Sequence, residues 1–125
     1  MTGETILVVE DDGLIALYLT ELMEKTGYRV SAASSGEMVL QDLKDAPAPD
    51  LILMDIGLSG SLDGIETFRL IRKQFSIPVI FITAYTSASI LERIWEVGPD
   101  GYIVKPFLDK ELLDLVRKII DKLAA

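Results

Sequence analysis

Thr5-Ile6-Leu7-Val8-Val9-Glu10-Asp11-Asp12 is a strand-forming run that passes without a break into three consecutive acids. Four of its first five residues are apolar and none alternates with a polar one. A strand with one wet face would alternate, so this one is read as covered on both faces, the habit of a parallel sheet. Beyond the acids, Ile15, Leu19 and Leu22 recur at helical spacing, and Asp12 stands where a helix N-cap belongs.

The same strand-to-helix alternation repeats outward along the chain. Strand-like runs fall at residues 28–32, 50–54, 77–82 and 101–104. Between and after them, Val39 and Leu43, then Phe68, Ile71 and Phe75, then Ile90, Ile94 and Val97, mark helices by their spacing. Leu112, Val116, Ile119 and Leu123 mark the last. Gly27 and Gly98-Pro99 stop helices, Pro47 and Pro49 punctuate a link, and Asp63-Gly64 and Asp109 can cap. The pattern is (βα)5. Right-handed crossovers turn it into an α/β fold, a doubly wound parallel sheet with helices on both faces. Winding in both directions puts the first strand in the centre, giving the flavodoxin-like strand order 2-1-3-4-5.

Composition narrows the chemistry. A chain of 125 residues that is 50% hydrophobic suits one domain with its own core. Twelve basic against twenty acidic residues give a net charge of -8, which argues against direct binding to nucleic acid. The absence of Cys and His excludes a disulfide scaffold, a thiolate zinc site and the commonest general base. No signal peptide and no membrane-length apolar stretch is present, so a soluble cytoplasmic protein is expected.

In a sheet of this kind the working site lies beyond the carboxyl ends of the strands. Those ends carry Glu10, Asp11 and Asp12, then Asp55, then Thr83, then Lys105. Carboxylates about 5 Å apart repel by roughly 3 kcal/mol per pair at an effective dielectric of 20. Lys105 alone does not offset three of them. A divalent cation would, and all-oxygen donors select a hard ion, Mg²⁺ or Mn²⁺. With such a cation, Asp55 can act as a nucleophile toward a phosphoryl group, while Lys105 and the Thr83 hydroxyl hold its oxygens. Taken singly, each residue has a plainer role: acids after a strand commonly cap helices, Thr suits strands, and a lone Lys is usually solvated. Their joint placement at neighbouring strand ends shifts the balance toward a site.

These residues sit in motifs that resemble the response-regulator receiver domain of two-component (phosphorelay) signalling, of the chemotaxis-regulator-like kind. The motifs are Ile6 to Asp12, Asp50 to Asp55, Asp63-Gly64-Ile65-Glu66, Pro78 to Ala84 and Gly101 to Phe107. The resemblance spans essentially the whole chain. It implies a metal pocket of Glu10 and Asp11, with Asp55 both a ligand and the phosphoacceptor and the Gly57 carbonyl a further ligand. It also implies Thr83 and Lys105 on the phosphoryl group, Tyr102 as an aromatic switch, and a cis Lys105-Pro106 peptide. The implied partners are a sensor histidine kinase or phosphotransfer protein, and a downstream output domain or protein. The latter would meet the face made by the fourth helix, fifth strand and fifth helix, near Trp95, and a homodimer is allowed.

Four departures stand out. Ser59 occupies the place where the family usually has proline, and the link from Asp55 to Asp63-Gly64 is one residue longer than the commonest form. Gly57 has no side chain to position water and Tyr85 is bulky, which points to slow self-dephosphorylation. Asp100 is followed by Gly101, not by a second Asp, so the interface charges of one transcription-factor subfamily are incompletely matched. The chain stops at Ala125, so it is expected to be either a stand-alone receiver or one domain of a larger regulator or hybrid kinase. Three rival readings compete with this one. A flavodoxin-type anion loop is opposed by Glu10-Asp11-Asp12, and an aspartyl-phosphate hydrolase lacks a second acid at Gly57. A receiver-shaped module that is never phosphorylated stays open, since sequence does not show phosphoryl flux, although intact Glu10, Asp11, Asp55, Thr83 and Lys105 argue against it. On the last helix, Leu113 and Ile120 form either a partner stripe or part of one wide buried face.

Overall fold

The computed structural model describes residues 3–84 and 86–124. Five strands alternate with five helices: β1 Thr5–Val9, α1 Gly13–Lys25, β2 Arg29–Ala33, α2 Gly36–Asp45, β3 Leu51–Asp55, α3 Gly64–Arg72, β4 Val79–Thr83, α4 Ala88–Val97, β5 Gly101–Val104 and α5 Asp109–Ala124. The strands form one parallel sheet in the order β2-β1-β3-β4-β5, as expected.

The reason for unbroken apolar strands is visible in how neighbouring side chains divide. Leu7, Val9, Ile52, Met54, Val79 and Phe81 point to one face, where α2, α3 and α4 supply Val39, Leu43, Ile65, Phe68, Ile71 and Ile94. Their neighbours Ile6, Val8, Leu51, Leu53, Ile80 and Ile82 point to the other, against Leu19, Met23, Leu112, Val116, Ile119 and Ile120 from α1 and α5. Every second residue therefore serves a different core, and neither parity can be polar. Within the first core the Phe68 and Phe81 rings meet edge to face at 5.4 Å.

Several expected boundaries move, each for a local reason. Strand β4 begins at Val79 because Pro78 has no N–H, although its carbonyl accepts from Ile52 N–H at 3.0 Å. Tyr28 stays outside β2, its N–H donating to Met23 O at 3.3 Å to close α1. Helix α3 ends at Arg72, and Phe75 packs on the core from the link beyond. On α5, Ile120 is buried and Leu113 half-buried against the same core, so the two stripes are one wide face. Leu123, expected inside, is 58% exposed. Asp109 is the first residue of α5, and the orphan N–H there, that of Leu108, donates instead to Glu111 Oε1 at 2.7 Å.

The other caps hold. Asp12 accepts from Leu14 and Ile15 N–H, and Asp63 forms a reciprocal capping box with Glu66. Gly98 closes α4 at a φ of 63°. Gly64 is required by contact: a methyl group there would collide with the Asp55 carbonyl oxygen and stand 2.8 Å from Ile56 Cα. Both are backbone atoms of the chain leaving β3, and the Gly64 N–H donates to Ile56 O at 2.9 Å. Gly64→Ala should therefore cost about 1–3 kcal/mol of stability, measured by urea denaturation. An unchanged midpoint would show that α3 does not press on the chain beyond Asp55.

Candidate functional site

Sealing both faces leaves the rim at the carboxyl ends of the strands for polar chemistry, and the chain puts its unusual residues there. Beyond β1 come Glu10 and Asp11; β3 ends on Asp55, β4 on Thr83, and Lys105 follows β5. One carboxylate oxygen from each of Glu10, Asp11 and Asp55 lies within 4.8 Å of the others. Of the acidic triplet, Asp12 does the capping. Glu10 and Asp11 turn to the rim, which removes the plainer reading for those two.

Glu10 continues the ladder, its N–H donating to Ala33 O at 3.0 Å, and this carries its side chain inside the domain. The residue is only 3% exposed. Its Oε2 accepts from Asp12 N–H at 3.1 Å, while its buried Oε1 has no hydrogen bond and lies 3.6 Å from Lys105 Nζ. Asp55 Oδ1 accepts from Gly57 N–H at 3.2 Å and lies 4.0 Å from the same ammonium. Asp11 is exposed, and its Oδ2 accepts from Ser59 N–H at 3.0 Å. Lys105 is held through its main chain, donating to Thr83 O at 2.8 Å, and the Thr83 side chain is fully buried.

Charge in this pocket is poorly balanced. Burial pushes Glu10 up to about 7, with the Asp55 charge adding to that and the Asp12 N–H and Lys105 opposing it. Hydrogen bonding from the Ser59 side chain, opposed by burial and aided by the Ser59 N–H, holds Asp11 below the ordinary range. Among the described residues, three carboxylates face one ammonium, and the buried Glu10 Oε1 lacks a hydrogen-bond donor. Oxygen donors alone, in a chain without His or Cys, fit a hard divalent cation.

The other sequence-derived residues divide between found and displaced. Gly57 is exposed on the loop after β3, beside Asp55. Tyr102 lies outward on β5, 40% exposed, and Trp95 is 76% exposed on α4. The Lys105-Pro106 peptide is cis. Tyr85 lies outside the described residues. Sequence reasoning missed the donor role of Ser59, which it treated only as the lack of a proline. A signal was available, since any residue but proline brings an N–H.

The raised Glu10 carboxyl sets a pH dependence. In the unfolded chain Glu10 titrates near 4.5, in the folded one at about 7. Between these values the folded state keeps the proton and the unfolded state does not, so stability falls as pH rises through that window. The limit is on the order of 3 kcal/mol. In metal-free buffer, Glu10→Gln should become progressively more stable than wild type from pH 5 to pH 8, read by denaturant titration at each pH. A constant difference would remove the buried charge from the account.

Comparison with known proteins agrees with this geometry. The family pattern "Response regulator receiver domain" matches residues 6–117. The transcriptional regulatory protein CpxR of Escherichia coli K12 is 38% identical over 117 residues, covering 92% of this chain and 48% of CpxR. The DNA-binding response regulator MtrA of Mycobacterium tuberculosis is 35% identical over 114 residues, covering 91% of this chain and 49% of MtrA. This chain thus spans about half the length of the curated relatives it matches. The expected lack of contact with nucleic acid gains no support from them, since one is named as DNA-binding. Among solved structures, the N-terminal domain of a response regulator/sensory box/GGDEF protein from Carboxydothermus hydrogenoformans superposes with a TM-score of 0.88 at 33% identity, covering 97% of each chain. With the pattern matched over nearly its whole length and the acidic rim in place, the chain belongs to the response regulator receiver domains of two-component signalling.

Proposed function

We propose that Asp55 of this receiver takes a phosphoryl group from a phosphohistidine on a sensor histidine kinase or phosphotransfer protein, with Mg²⁺ or Mn²⁺ at the acidic rim. The observation that carries the proposal is the gathering of Glu10, Asp11 and Asp55 within 4.8 Å of one another against a single Lys105 ammonium. Glu10, Asp11, Asp55 and the Gly57 carbonyl would hold the cation. Bound there, it would neutralise carboxylate charge and draw charge from the phosphoryl oxygens.

The chain's own residues do the rest. An Asp55 carboxylate oxygen attacks phosphorus, the bond from phosphorus to the donor's imidazole nitrogen breaks, and that nitrogen keeps the electron pair and takes up a proton. The product is an acyl phosphate on Asp55. The Gly57 N–H on Oδ1 orients the nucleophile, and Lys105, 4.0 Å from that atom, pairs with a phosphoryl oxygen. The Thr83 hydroxyl holds another. No general base is needed, because a carboxylate attacks without losing a proton.

The remote consequence runs through β5. A hydroxyl drawn toward the phosphoryl group leaves space beside β5, and the Tyr102 ring, now outward, can turn in to fill it. That turn would reshape the surface of α4, β5 and α5 that meets the output domain or partner protein, where Trp95 is exposed. Self-dephosphorylation is expected to be slow, with no side chain at Gly57 to position water.

With acetyl phosphate and Mg²⁺, wild type should gain one phosphoryl mass and Asp55→Asn none, by intact-protein mass spectrometry. Equal labelling of the two would displace Asp55 from its role. Under beryllofluoride and Mg²⁺, wild type should shift its Tyr102 and Trp95 NMR signals. Thr83→Ala should still label at Asp55 and lose most of those shifts; full shifts in that variant would end the relay through Thr83.

A further inference from the structure

Each carboxylate of the acidic rim rests one oxygen on a main-chain N–H. For Glu10 the donor is Asp12 and for Asp55 it is Gly57, both two residues along the same turn. Asp11 is different: its donor, Ser59, comes from a separate loop 48 residues away. We infer that Ser59 is a positioning residue for the cation site, its N–H fixing Asp11 through Oδ2 at 3.0 Å so that the second carboxylate oxygen is left for the metal, and seating the loop that carries Gly57 over the rim. This rests on the reading of Glu10, Asp11 and Asp55 as the cation pocket.

The need for such a fastening follows from the charges. Asp11 is the exposed member of a cluster of like charges, so repulsion from Glu10 and Asp55 drives it outward toward solvent. A donor on Oδ2 opposes that and removes part of the entropy that metal binding would otherwise have to freeze. The Ser59 N–H rests on Oδ2 and does not itself occupy the other carboxylate oxygen. Orientation of a ligand by an outer hydrogen bond is the usual way a metal site is tuned.

The loop is built to deliver this donor. Immediately after Ser59, Gly60 takes a φ of 101°, a backbone turn that favours glycine. Next, Ser61 fastens the far side of the loop to α2, its N–H and hydroxyl both donating to Glu37 Oε2, at 3.3 and 2.5 Å. Ser59 and Ser61 thus tie the loop to β1's acidic end and to α2 on either side of one glycine. Proline at position 59 would have no hydrogen to give. The longer link and the serine in place of proline, two departures at the sequence level, are in this account one device.

The test is a Mg²⁺ titration of ¹⁵N-labelled protein, followed by amide shifts and by calorimetry. Ser59→Pro should bind about tenfold more weakly than wild type. Ser59→Ala, which restores the N–H, should lose much less, and Ser61→Ala, which loosens the same loop without touching that donor, should also lose less. Without metal, Asp11→Asn should move the Ser59 amide resonance more than those of its loop neighbours. Equal affinity in Ser59→Pro and wild type, equal loss in Ser59→Pro and Ser59→Ala, or a Ser59 amide indifferent to Asp11→Asn would each overturn the assignment. Absence of Mg²⁺ binding by wild type would instead overturn the cation pocket, and with it the use made of Ser59.

Discussion

A carboxylate buried at the end of a central strand, with one oxygen lacking any hydrogen bond, is the interaction around which this domain is arranged. Glu10 is where it is because β1 is paired on both sides and covered on both faces, so its next residue has nowhere to go but the interior rim. Such a group is unfavourable in isolation. Its neighbourhood partly compensates it, with an amide two residues on and an ammonium across the rim from the end of β5, while two further carboxylates gather beside it. The charge is confined to one edge, above two cores built almost entirely of apolar side chains.

The sheet and its topology were legible because covered parallel strands write themselves as unbroken apolar runs, and residues that follow such runs must lie on one rim. That logic located Glu10, Asp11, Asp55, Thr83 and Lys105 without coordinates. It failed where the determinant was not side-chain type. The Ser59 N–H that reaches Asp11 is a main-chain donor, so sequence shows only that the residue is not proline and not where its N–H points. The depth of Glu10 depends on how far the β1–β2 ladder continues past Val9, to a bond with Ala33 that no residue pattern announces. Leu123 was misplaced for a simpler reason: α5 has 16 residues, about 24 Å of helix, and outruns the four-residue strand beside it. Helical period continued past the point where there was a core to face.

The loop after β3 shows how a family pattern can be kept with different means. Gly64 must lie against the backbone of residues 55 and 56, which fixes where the loop ends. Asp55 fixes where it begins. Between those points the chain has freedom in length, and the extra residue is accommodated by a glycine turn and hydrogen bonds to Asp11 and Glu37. Rigidity supplied by a pyrrolidine ring is exchanged for rigidity supplied by donors, which solvent and neighbouring charge can modulate.

The division of the interior has a consequence of its own. The sheet acts as a partition between two half-interiors, one roofed by α1 and α5, the other by α2, α3 and α4. Volume changes on one side have no direct steric route to the other, so each half can drift in sequence independently of its counterpart. At an open sheet edge, beyond β5 as beyond β2, the two compartments come within reach of a single visitor. A protein that grips α4 and α5 together therefore touches both halves at once, joining from outside what the sheet keeps apart within.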